Sequence, residues 1–302
     1  MIVIRFALYA NLMLLFGLPL FALSGPAEVA SGFAPPKRVL LGLVLSALAL
    51  SLLGIAAMAA SMMGVGLAEI DRASTASLIF DTSMGAAWRA RMAALLLLAI
   101  HTVMVKPERS ASGLAVVVAG GVSLASLAWT GHGAAGEGAT GWFELLADII
   151  HLLAAGAWVG ALVALVIILA RCARASSTAN VHIAHEALAG FAFTGSVIVG
   201  LLIATGLINS WLLIGPDHAA DLFKSDYGRL MAIKLLLFAG MVGLAANNRF
   251  RLTPALETEM ANDETDGATS ALRRSIVAET LFAALVLLVV AWLGTLAPPI
   301  AG

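Results

Sequence analysis

Apolar residues in this chain fall into long, nearly unbroken runs, and polar residues collect in the short stretches between them. A helix needs about 20 mostly apolar residues to cross a hydrocarbon core. Eight runs qualify, at residues 2–23, 39–66, 86–105, 112–131, 142–170, 187–214, 228–247 and 275–297. The second, fifth and sixth exceed one core thickness, which predicts tilt or projection into water. "SGPAEVASGFAPPK" (24–37) carries Gly and Pro breakers and predicts a loop. Residues 67–85, "LAEIDRASTASLIFDTSMG", predict a short interfacial helix on the outer side. The acidic tract within 252–274 predicts a mobile linker. The pattern is all-α: one transmembrane domain over 1–302, a bundle of eight helices with no separate soluble domain.

Composition agrees with this pattern. The chain is 61% hydrophobic and only 12% charged, with a mean hydropathy of +0.99, which places it among polytopic membrane proteins in contact with a lipid bilayer. A net charge of −1 gives no case for nucleic-acid binding. The first run has only Arg5 as a basic flank and is interrupted by Tyr9 and Asn11, so it reads as a retained helix and not a cleaved signal. Cys172 is the one cysteine, which excludes an intramolecular disulfide and suggests an inert thiol. Ten basic residues (Lys37, Arg38, Lys106, Arg109, Arg171, Arg174, Arg249, Arg251, Arg273, Arg274) fall on the side of the odd-numbered connections, against six on the other. The positive-inside rule makes the richer side cytoplasmic, which puts both termini and the glycine-rich 132–141 link in the periplasm.

The polar residues inside the runs carry the chemistry. Glu144, Asp148 and His151 are spaced i, i+4, i+7 on the fifth helix and so share one stripe. At 1.5 Å per residue, Asp148 lies about 9 Å and His151 about 13 Å below Trp142. A carboxylate at that depth costs a few kcal/mol unless it meets water, a partner or an ion, so the stripe should face the bundle interior. His132 ends the preceding run on the same side. Imidazole binds copper and zinc, and thioethers select Cu(I). On the assigned topology Met58, Met62, Met63, Met84 and Met92 cluster toward the outer side, which allows a pocket of His, Met and carboxylate.

Plainer readings stand beside each of these. His132 can cap a helix end, His151 can be a satisfied bundle histidine, Glu144 can reach water, and methionines are routine filler. Lys234, about 10 Å down the seventh helix, matches the depth of Asp148 and predicts an ion pair, either a staple or a gate. Thr205 and Asn209 lie one turn apart near the outer end of the sixth helix. His182 and His185 fall in a cytoplasmic link. Glu279 begins the last run and pairs, in the simplest reading, with Arg273 or Arg274.

The order "WTGHG…DIIHLLAAGAWVG", "ATGLINSWLLIG", "YGRLMAIKLLLFAGMVGLAANNRFRLTP" and "RRSIVAETLFAALVLLVVAWLGTLAPP" resembles the copper resistance D (CopD) family of inner-membrane proteins. "RFALYANLMLLFGLPLF" and "DTSMGAAWRARM" fit it too, so the likeness spans nearly the whole chain. The resemblance implies an eight-helix copper transporter of the cell inner membrane that takes a copper ion from a periplasmic copper-binding partner, CopC, and passes it inward. It implies His132 and His151 as ligands, with Trp158 and Gly160 as packing residues. Members often carry a histidine near the position of Leu8, and this chain has none there. With no soluble copper-binding domain in the chain, such a partner would be a separate protein.

The expected function is therefore copper transport through a site of His132, His151, Glu144, Asp148, Met84 and Met62, supported by Lys234, Asn209 and Trp158. No enzyme activity is expected. Neither a G-x-x-x-x-G-K-[ST] loop nor a D-K-T-G motif is present, which argues against ATP-driven pumping by this chain. The alternative is a b-type haem protein moving electrons, for which the estimated depths of His132, His151 and His101 match poorly.

Overall fold

Runs of Leu, Ala, Val and Ile with few breakers leave the backbone one solution in lipid, the helix, which satisfies every N–H and C=O internally. The computed structural model describes residues 1–25, 29, 33, 35–105, 110–130, 138–174, 178–214, 225–262 and 266–296. It is all-helical there, and eight of its helices are long and apolar enough to span a membrane.

Helix α1 covers Ile2–Ser24 and α2 Lys37–Met63. A short helix, α3, covers Arg72–Phe80, where the interfacial helix was expected. Its N-cap is Asp71, whose carboxylate accepts from Ser74 N–H at 2.8 Å. That bond holds the exposed Asp71 carboxyl below its usual range. Helix α4 is Ser83–Met104, α5 Ser110–Ala125 (continued by a 3-10 turn to Thr130), α6 Gly138–Arg174 and α7 Thr178–Ile214. Helix α8, Asp226–Asn247, passes through a π turn at Asn248–Leu252 into α9, Thr253–Ala261. Helix α10 is Asp266–Leu293.

Two expectations need correction. His182 and His185 are not in a loop but on the first turns of α7, where His182 Nδ1 lies 3.8 Å from Glu186 Oε1. At 37 residues, α6 and α7 are each about 55 Å long, nearly twice a hydrocarbon core, so their ends carry helix into water. The acidic 252–274 tract is also largely helical. Pro254 sits in the first turn of α9, where its missing N–H costs nothing, and Glu259 accepts from Ala268 N–H at 2.8 Å, tying α9 to α10.

Helices α1 and α6 form the middle of the bundle. Helix α1 packs on α2, α5, α6 and α10, and α6 packs on α1, α5, α7 and α10. Their crossing is a glycine seam. Gly17 lies against Gly156 and Gly160, and a Cβ on Gly17 would come within 2.8 Å of Gly160 Cα. Lipid tails are as apolar as leucine, so close backbone approach at small residues is what draws such helices together. Cys172 is buried beside this core, its thiol donating to Asn180 C=O at 3.1 Å. Eight crossings return the chain to the face where it began, and we call this the terminal face.

Candidate functional site

The stripe on α6 meets α7, which runs antiparallel to it. Residues one turn apart on each helix therefore pair in reverse order. Asp148 Oδ1 accepts from Asn209 Nδ2 at 2.6 Å, and His151 Nδ1 lies 2.9 Å from Thr205 Oγ1. Both acid and imidazole are half-buried, and Thr205 is buried.

The second pair fixes the imidazole tautomer. Thr205 Oγ1 is 2.6 Å from Leu201 C=O, and since a carbonyl can only accept, the hydroxyl proton is committed there. Oγ1 must then accept from His151 Nδ1–H, which leaves the lone pair on Nε2. A histidine held at one nitrogen by an oxygen and free at the other has the arrangement of a metal ligand with its supporting shell. The first pair is equally directional. A carboxylate accepts, so Asn209 presents its NH2 to Asp148, and its own Oδ1 is buried without a donor. An orphan amide oxygen beside a carboxylate and an imidazole lone pair is a set of acceptors in need of a cation.

His151 opens onto a cavity of about 310 Å³. Its other walls include Met231, Lys234, Phe238 and Met241 from α8 and Ala283 from α10. Met231, Lys234, Phe238 and Met241 are spaced i, i+3, i+7, i+10, one stripe of α8, and that row was the sequence signal for these two methionines. Lys234 acts electrostatically on both Asp148 and His151, Glu144 acts on Asp148, and Asp148 acts on Tyr227. Lys234 is thus near enough to Asp148 to act on it electrostatically, but among the described residues the two form no ion pair, and the expected pair is replaced by the Asn209 hydrogen bond. The carboxylate is taken by Asn209, which arrives at its level on the adjoining helix, while Lys234 stands on the cavity wall.

The remaining expected residues lie elsewhere. His132 is outside the described residues. Met62 ends α2 at 71% exposure. Met84 packs near Ile55, Ala59 and Leu78, and with Met58 it lines a separate cavity of about 50 Å³. That cavity also holds Arg5 and Arg91, so its charge discourages a cation, and the structure does not bring Met62 or Met84 to His151. Among the described residues no three His, Cys, Asp or Glu side chains converge as a metal cluster.

Trp158 is more than packing. Its Nε1 donates to Glu279 Oε1 at 2.8 Å, and Asn248 Nδ2 donates to Glu279 Oε2 at 3.0 Å. Glu279 is therefore held by these two donors, correcting the expected bond to Arg273 or Arg274. Those arginines lie six and five residues before Glu279, on other faces of α10, while Glu279 points inward at 2% exposure.

Residues 1–142 match the family model of the copper resistance protein D-like N-terminal domain, and residues 185–293 match that of copper resistance protein D. Helix α6, with Asp148, His151 and Trp158, falls mostly between the two. The chain is 41% identical to copper resistance protein D of Pseudomonas syringae pv. tomato over 98% of its length and 96% of the relative's. It is 28% identical to inner membrane protein YebZ of Escherichia coli (strain K12), covering 98% of each. Over 56% of this chain, and 30% of the relative, it is 30% identical to copper transport protein CutJ of Bacillus subtilis (strain 168). No solved structure matches it. The haem alternative gains no support from these likenesses. With a near full-length relative at this identity and both family models on one chain, the protein belongs to the copper resistance protein D family.

Proposed function

We propose that this protein carries copper across the cell inner membrane, from periplasm toward cytoplasm, and that the His151 cavity is where the ion is first held. The terminal face is then periplasmic, in keeping with the excess of basic residues in the connections at the opposite face. The observation that carries the reading is the acceptor set on the α6–α7 seam: His151 Nε2 with its lone pair free, the Asp148 carboxylate and the orphan Asn209 Oδ1. Met231 and Met241 line the same cavity and supply thioethers, in the place first assigned to Met62 and Met84. His132, assigned from the sequence, completes the ligand set, and Glu144, one turn before Asp148 on α6, attracts the arriving cation.

Two protein ligands with partial help from sulfur and oxygen suit transport, because an ion must leave as well as bind. Lys234 serves that need. Its charge weakens the hold of the site on a cation and offers Asp148 a replacement partner once the ion departs. No covalent step is involved. The donor of copper is a periplasmic copper-binding protein of the CopC type, a separate chain.

Copper titration of the purified protein tests the site. His132→Ala with His151→Ala abolishes stoichiometric copper binding while the helical circular dichroism is retained; undiminished binding would overturn the assignment.

A further inference from the structure

A second cavity, of about 230 Å³, lies toward the opposite face, between α6, α7, α8 and α10. Trp158 lines both cavities and so forms the partition between them. On the far side of that partition sits Glu279, buried, with no cationic side chain bridged to it among the described residues. The one charged group that shares its cavity, Arg249, is turned away and donates to Ala192 C=O at 2.8 Å and to Ser196 Oγ.

The second cavity repeats the logic of the first. Asn248 must present its NH2 to Glu279, so its Oδ1 is left buried without a donor, in a residue only 5% exposed. Asp148–Asn209 and Glu279–Asn248 are thus two carboxylate–amide pairs, each leaving an orphan oxygen, on either side of one indole. The π turn that begins at Asn248 breaks the regular helix at this point, and such turns gather at functional positions. The donor chemistry differs between the two. The first site offers nitrogen, oxygen and sulfur; the second offers oxygen only, which suits a borderline or hard cation and not Cu(I). The cavity has room for several waters, at about 30 Å³ each, to complete a coordination sphere.

We infer that Glu279 and Asn248 form a second cation station on the inner side of Trp158, an oxygen-only site that receives copper as Cu(II). The inference rests on reading the His151 cavity as the entry site. Trp158 Nε1 occupies Glu279 Oε1 while the station is empty, and swinging the indole away frees that oxygen and opens the partition in one movement.

Electron paramagnetic resonance of Cu(II) titrated into the full chain in lipid nanodiscs separates the two sites. The wild type shows two signals: one with nitrogen hyperfine structure from His151, one with oxygen-only parameters. Glu279→Gln removes the second and keeps the first, and Asn248→Ala weakens the second roughly tenfold, the usual cost of losing a supporting partner. His151→Ala does the reverse; a nitrogen signal missing from the wild type, or unchanged in His151→Ala, would sink the entry reading without touching the station. An oxygen-only signal unchanged in Glu279→Gln, or missing from the wild type while copper uptake still needs Glu279, would overturn the station; the latter result would assign Glu279 to proton exchange. Because Glu279→Gln keeps the shape, accepts from Trp158 at its amide oxygen and can donate its NH2 to an Asn248 amide turned over to present Oδ1, a folded protein is expected, and the retained nitrogen signal verifies it.

Discussion

Two largely apolar cavities lie toward the same, terminal face of this bundle, and the few polar groups at them have opposite hydrogen-bonding character. The one beside α6 and α8 is edged by His151 and Lys234, and the acceptors gather at His151: its free Nε2, with the Asp148 carboxylate and the orphan Oδ1 of Asn209 one turn along the α6–α7 seam. The one between α1, α2 and α4 is edged by donors: Arg91, 3% exposed, has Nε and Nη1 without partners among the described residues, and Arg5 Nε is in the same condition. Both contain methionine. On the proposed reading, a thioether does not make a copper site by itself. A buried guanidinium within the same small cavity opposes a cation by more than a neutral sulfur attracts it.

The largest expected effect falls on the seam between the two regions. Gly160→Leu drives a side chain into the backbone of α1 at Gly17 and should cost about 3 kcal/mol or more, seen as loss of folded protein or a steep drop in Tm. A Tm like that of the wild type would mean that α1 and α6 do not touch there. His151→Ala alone comes next, with copper affinity reduced roughly 100-fold as a ligand is lost. An affinity equal to the wild type would leave the acceptor-edged cavity no better a candidate than the other.

Lys234→Met should act in the opposite direction. Removing a positive charge that faces Asp148 and His151 tightens copper binding roughly tenfold. Weaker binding in that variant would place Lys234 in a supporting role instead of a competing one. The smallest effect belongs to the donor-edged cavity: Met84→Leu and Arg91→Gln, remote from His151, should leave copper Kd within about twofold. A large loss in Met84→Leu would bring that methionine back as a ligand and erase the contrast between the cavities.

The stripe of Glu144, Asp148 and His151 was legible because helical periodicity is local: four and three residues along a helix return to the same face. Thr205 and Asn209 were noticed as a pair one turn apart, but their partners were not, since pairing depends on how far α7 slides along α6. The Asp148–Lys234 match in depth was legible for the same geometric reason. Depth alone, however, does not say which neighbour reaches the carboxylate first, and Asn209 does. Membrane side alone groups Met62 and Met84 with His151, whereas helix face puts Met231 and Met241 on the wall of its cavity. Glu279 was given the nearest arginines in sequence, whereas its hydrogen bonds come from residues 31 and 121 positions away.

By itself the sequence determined that the chain crosses a membrane eight times as helices, because apolar length and the need to satisfy every backbone group in lipid leave no other solution. It also determined which polar groups share a face. Only the tertiary structure decided which faces meet: the spans are apolar nearly all round, and in lipid such a surface has no preferred direction. Small residues at Gly17, Gly156 and Gly160 set the central contact, and that contact carries Trp158 to the boundary between the two cavities.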